Sequence, residues 1–74
     1  MRRYANLSGT SGVVAYETGP DFIDVRFREG GTYRYTHASA GPVHVEQMKK
    51  LAVAGRGLGT YISRHVREAY ASRR

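Results

Sequence analysis

Between Phe22 and Thr36 the apolar residues Ile23, Val25, Phe27, Tyr33 and Tyr35 fall on alternate positions, with Asp24, Arg26, Arg28 and Arg34 between them. That period of two predicts strands over Phe22–Arg28 and Thr32–Thr36, joined through Gly30-Gly31. Residues that oppose each other across a ladder share a face, so the loop length can be read from the side chains. A two-residue Gly30-Gly31 loop sets Phe27 against Arg34. A three-residue loop, Glu29 to Gly31, sets Phe27 against Tyr33 and Val25 against Tyr35. The second register is the expectation: it collects the five apolar side chains on one face, and Gly31 can supply the positive φ that such a loop needs. The other face then carries Arg26, Arg28 and Arg34; the opposite register would instead expose the two tyrosines among these arginines, ready to stack on bases.

The alternation predicts a further strand over Gly12–Glu17, closed by Thr18-Gly19-Pro20-Asp21, with Tyr16 opposing Ile23, Val14 opposing Val25, and Val13 and Ala15 facing outward. After a loop from His37 to Gly41 the pattern changes to helical spacing. Val45, Met48, Leu51 and Ala52 share a stripe between Pro42, suited to a first helical position, and Ala54. Gly55-Arg56-Gly57-Leu58-Gly59 interrupts it. A last helix is predicted from Thr60 to Tyr70, with Ile62, Val66, Ala69 and Tyr70 inside, His65 at the core edge, and Arg64 one turn before Glu68. Residues 1–11 read as a loose basic arm, 12–71 as one domain and 72–74 as a basic tail. The fold class is α+β: a three-stranded antiparallel β-meander followed by two helices packed on one face, β-β-β-α-α.

Composition narrows the class. A chain of 74 residues without cysteine has no disulfides, and no apolar run approaches a membrane span, so the expectation is a cytoplasmic protein with no membrane association. Residues 1–40 hold five arginines against four acids, whereas residues 41–74 hold seven Lys/Arg against two acids. Of the net charge of +6, five units therefore belong to the C-terminal half, a bias that suits polyanions such as RNA or DNA and serves solubility equally well.

The order of motifs resembles the KTSC domain, named from the C-terminal domain of some lysyl-tRNA synthetases. The matching residues are Tyr16 in the first strand, Phe27, Gly30, Gly31, Tyr33 and Tyr35 in the hairpin, and Gly59, Tyr61, Val66, Arg67 and Tyr70 at the end. The resemblance spans about residues 11–70, with Gly57 and Ser63 standing where that family usually has a serine and an asparagine. It implies the β-β-β-α-α order and a link to RNA.

Candidate chemistry lies in the basic half. Gly55 to Thr60, leading into a helix, could cradle a phosphate with Arg56 and Thr60, although glycines there also suit a tight turn between two helices. The candidate phosphate-binding set is Arg34, Lys49, Lys50, Arg56, Gly57, Gly59, Thr60, Tyr61, Arg64 and Arg67, with Tyr61 as an exposed aromatic. His37, His44 and His65 lack metal-ligand spacing, and Asp21, Asp24, Glu29, Glu46 and Glu68 are scattered, so neither an enzyme nor a cofactor or metal site is expected. Two functions remain open: a nucleic-acid-binding module, RNA favoured, or a protein-interaction module that self-associates or docks on an acidic protein.

Overall fold

All three strands predicted from the alternation form, and the computed structural model, which describes residues 1–7, 9 and 11–74, adds two more. Strands β1 (Arg2–Arg3), β2 (Val13–Thr18), β3 (Phe22–Phe27), β4 (Gly31–Thr36) and β5 (Ser72–Arg73) lie side by side in that order, each antiparallel to its neighbour. The expected three-stranded meander is therefore the centre of a five-stranded sheet. A meander alone would leave a row of backbone N–H and C=O groups open at each edge. The expected arm and tail fill them. On one side Tyr4 N–H donates to Val14 O at 3.0 Å; on the other Thr32 N–H donates to Arg74 O at 2.8 Å, Arg74 N–H to Thr32 O at 2.7 Å and Ala71 N–H to Arg34 O at 2.6 Å.

The registers differ from the expected ones by two residues. Val25 opposes Tyr33 and Ile23 opposes Tyr35, so the hairpin loop is Arg28-Glu29-Gly30, and Gly31 becomes the first residue of β4 opposite Phe27. Its φ of 82° and the close approach of the Arg74 main-chain oxygen leave no room there for a Cβ. Likewise Tyr16 opposes Val25 and Thr18 opposes Ile23, with Gly19 N–H donating to Phe22 O at 3.0 Å to close the turn. A two-residue slide keeps every side chain on its face, so Ile23, Val25 and Tyr35 still point into the core. One face assignment does change. A β-bulge between Val13 and Ala15 turns Val13 inward, to 1% exposure, where outward was expected.

The helices cover that face. His37–Ala40, expected as a loop, forms a short helix α1, because Thr36 and Ser39 cap it reciprocally through two bonds of 3.0 Å. Helix α2 spans Pro42–Ala54 as expected, from Pro42 in its first turn to Gly55 in the left-handed conformation, and it buries Val45, Met48 and Ala52. Helix α3 covers only Leu58–Tyr61 and continues as a π-helical turn, Ile62–Val66. It thus begins before the expected Thr60 and stops short of Tyr70. Ala69 N–H then bonds Val66 O at 2.9 Å as the chain turns back toward β4. Ile62 and Val66 are buried, while Ala69 and Tyr70 reach the core margin from this return.

The N-terminal residues are also bound inside. Tyr4 is 3% exposed, and its hydroxyl accepts from the buried Leu58 N–H at 3.2 Å, satisfying a donor at the start of α3. Tyr4→Phe removes that acceptor and strands the N–H. Urea denaturation is expected to show a loss of about 1–3 kcal/mol; unchanged stability would mean that the N-terminal segment does not seat here.

Candidate nucleic-acid interface

The end of the β3–β4 hairpin, the start of β2 and the π-helical turn face one another across a groove. One part is a cavity of about 620 Å³ walled by Phe27, Tyr33 and Tyr70, with Tyr35 and Ile62 also lining it and Arg28, Arg67, Glu29 and Glu68 contributing the charged groups. A second cavity of about 510 Å³ shares Gly12, Phe27 and Ser63 with the first and extends to Gly57, Gly59, Thr60 and Arg64.

The aromatic walls hold one another edge to face. Ring centroids are 5.4 Å apart for Phe27 and Tyr33, 4.9 Å for Tyr33 and Tyr70, and 6.4 Å for Tyr35 and Tyr70, the arrangement favoured by ring quadrupoles. Tyr70 reaches this position because the helix has already ended. Arg73 on β5 lies 5.7 Å from the Tyr33 ring centre and donates to its hydroxyl at 3.4 Å, which raises the arginine's pKa. Burial pushes the Tyr35 phenol up to about 12, with smaller contributions from Tyr33 and Tyr70.

Of the residues expected at a phosphate site, Arg64, Arg67, Gly57, Gly59 and Thr60 come together along this groove, and Arg28 joins them from the hairpin. Arg56 is exposed on the turn beside Gly57 and lines neither cavity. The others lie elsewhere. Arg34 holds Asp24 in a bidentate bridge, Nε to Oδ1 at 2.8 Å and Nη2 to Oδ2 at 3.0 Å, and its guanidinium sits 4.1 Å from the Phe22 ring centre. The pairing follows from the register, which sets Asp24 opposite Arg34, and it raises the Arg34 pKa. Lys49 pairs with Glu46 at 2.8 Å and reaches Pro20 O at 3.3 Å, while Glu46 also meets His37 Nε2 at 2.8 Å. Those two hydrogen bonds, Lys49 first, hold the Glu46 carboxyl below its ordinary range. Lys50 and Lys49 line a separate hollow on α2 with Val53 and Ala54.

Tyr61 is half-buried rather than an open platform. Its hydroxyl lies 2.7 Å from His44 Nδ1, and its ring is 4.5 Å from that of His65. His65, expected at the core edge, is exposed and stacked on His44 at 5.6 Å. Arg64 and Glu68 form no ion pair among the described residues, since the helix ends between them.

The glycine break has structural work of its own. Gly57 is left-handed at φ 83°, a Cβ on Gly59 would come within 2.8 Å of Ser11 Oγ, and the Leu58 N–H is already engaged by Tyr4. These are the needs of a turn and a close packing contact. The groove's cations are therefore side chains, not a bare helix end.

The sequence reading missed Phe27, Ser63 and Tyr70 as parts of a site, and it set Arg28 on the outer sheet face with Arg26 and Arg34, a row that could follow a nucleic-acid backbone, rather than on the groove. Phe27 and Tyr70 carry the apolar signal of core residues, and nothing local indicates that the helix stops before Tyr70. Among the described residues no group of three or more His, Asp or Glu is placed to hold a metal, and no helix is long and apolar enough to cross a membrane. Comparison of the chain with protein-family models, curated proteins and solved structures finds no match.

A phenol whose folded-state pKa is raised stays protonated longer in the folded chain. Its stabilising contribution is complete below the unfolded value near 10 and is lost as pH rises through about 12. Stability is therefore expected to fall across that alkaline window, and Tyr35→Phe to flatten the fall, as followed by urea titration at successive pH values; an unchanged alkaline slope in the variant would place the late-ionising phenol elsewhere.

Proposed function

We propose that this chain is a small nucleic-acid-binding module, RNA favoured, that holds a single strand along the groove between the hairpin and the last helical turn. The observation that carries the proposal is the alignment of Arg28, Arg67 and Arg64 along cavities walled by Phe27, Tyr33 and Tyr70. Guanidinium groups bind phosphates, aromatic walls accept bases, and a groove offering both recognises charge and shape more than sequence. The positive balance of residues 41–74 and the resemblance to the KTSC domain, with its link to RNA, support the same reading. It requires neither a cofactor nor a reaction.

The interaction-module reading draws on a different surface. Val13, one of the two residues on which an apolar outer sheet face was expected, is buried. Val53, 73% exposed in a hollow with Lys50 and with the Lys49–Glu46 pair, is the apolar surface on α2 that a protein partner would cover.

The test is a titration of a short labelled single-stranded RNA at several salt concentrations, read by fluorescence anisotropy. Affinity is expected to fall steeply with salt. Arg64→Ala combined with Arg67→Ala should weaken binding by tenfold or more and reduce the salt slope by about 1.4. Arg34→Ala, removing a cation already paired to Asp24, should change affinity less than about twofold. Binding that ignores the double substitution, or no binding at low salt, would overturn the proposal; a stable oligomer in high salt without polyanion affinity would favour the interaction module.

A further inference from the structure

The two cavities of the groove differ in chemistry. The larger has three aromatic walls, and its charged groups cancel: Arg28 and Arg67 stand against Glu29 and Glu68. A bare phosphate gains less there than in the second cavity, because the carboxylates offset part of the arginines' charge. The smaller has no acid in its lining; it presents Arg64 together with the hydroxyl-bearing residues Ser11, Thr60 and Ser63. That set suits an anion. The cavities meet at Gly12, Phe27 and Ser63, so one ligand can occupy both.

Resting on the nucleic-acid reading above, we infer that the groove is a two-part nucleotide site, with one base of a single strand in the aromatic cavity and an adjoining phosphate in the Arg64 cavity. The polar groups around the aromatic cavity fit a base better than a simple hydrocarbon. Tyr35 borders this cavity but is 1% exposed, so its phenol is packed into the core and the polar contacts fall to the charged side chains. Glu29 and Glu68 supply acceptors for exocyclic amino groups or a ribose 2′-hydroxyl, and Arg28 and Arg67 supply donors for ring nitrogens, carbonyl oxygens or the next phosphate. Base–aromatic contact tolerates any base, because each has a π-face.

Gly12 gives an independent way to close the site. It lies at the seam of the cavities, its φ is outside the left-handed range, and a Cβ there meets no atom within 4 Å. A bulky side chain at this position enters open space.

The test uses an RNA tetranucleotide carrying 2-aminopurine at an internal position, with anisotropy of an end label reporting binding and 2-aminopurine emission reporting base contact with an aromatic ring. Binding to the unaltered protein is expected to quench the emission. Tyr70→Leu should weaken affinity about tenfold, restore emission and leave the salt slope unchanged, since a base contact and not a phosphate contact is removed. Gly12→Leu, which brings no π-face of its own, should likewise weaken affinity and restore emission by occupation. If anisotropy reports binding while the emission is unchanged, or if both variants bind like the unaltered protein, the base pocket is refuted and phosphate tracking alone stands. Absence of any anisotropy change at low salt refutes the pocket and the nucleic-acid reading together.

Discussion

The groove depends on the return of residues 71–74 to the edge of β4. That edge would otherwise present unpaired N–H and C=O groups, and the three main-chain bonds linking Thr32 and Arg34 to Ala71 and Arg74 satisfy them. The return sets the geometry upstream. To reach β4 the chain leaves the helix after the π-helical turn that ends at Val66, and this brings Tyr70 against Tyr33 and Tyr35. It also fixes Gly31, because the Arg74 oxygen occupies the space of a side chain there. A helix running on to Tyr70 would carry the residues that follow it away from the sheet, and the aromatic wall would be lost.

The opposite edge is closed in the same way. Arg2 and Arg3 pair with β2, and Tyr4 follows them into the core to accept from Leu58 N–H. A domain this small buries only a modest fraction of its surface, so drawing both ends of the described chain into the sheet adds apolar contact as well as hydrogen bonds. The start of α3 and the start of β2 are thereby held close, with Gly59 against Ser11, and that contact shapes the Arg64 end of the groove.

Net charge in the sequence and free positive surface in the fold are different quantities. Arg34 is held by Asp24 and Lys49 by Glu46, whereas Arg28, Arg64 and Arg67 remain on the groove. The glycines that invited a phosphate-loop reading serve turns and packing instead. The positive C-terminal half was legible; its division into paired and available cations was set by register, which places Asp24 opposite Arg34. Alternation identified the inner face because parity survives a two-residue slide, and for the same reason it could not choose between Val25 opposite Tyr35 and Val25 opposite Tyr33. The Val13 bulge left no trace, since Val13 and Val14 are both apolar. Helix α2 was readable to the residue because Pro42 and Gly55 mark its ends locally. The last helix was not: residues after Val66 have ordinary helical propensity, and a tertiary pairing of the chain's last residues stops it. Strands of two residues have no period to detect, which is why β1 and β5 were hidden.

The most direct measurement is a residue-resolved ¹H–¹⁵N NMR titration of the protein with a short single-stranded RNA. A strand held in the groove predicts shifts concentrated at Gly12, Phe27, Gly30, Tyr33, Ser63, Arg64, Arg67 and Tyr70, with the outer sheet face around Asp24 and Arg34 and the α2 surface around Lys49 and Lys50 unmoved. Shifts confined to either of those surfaces, or none on any surface, would contradict it.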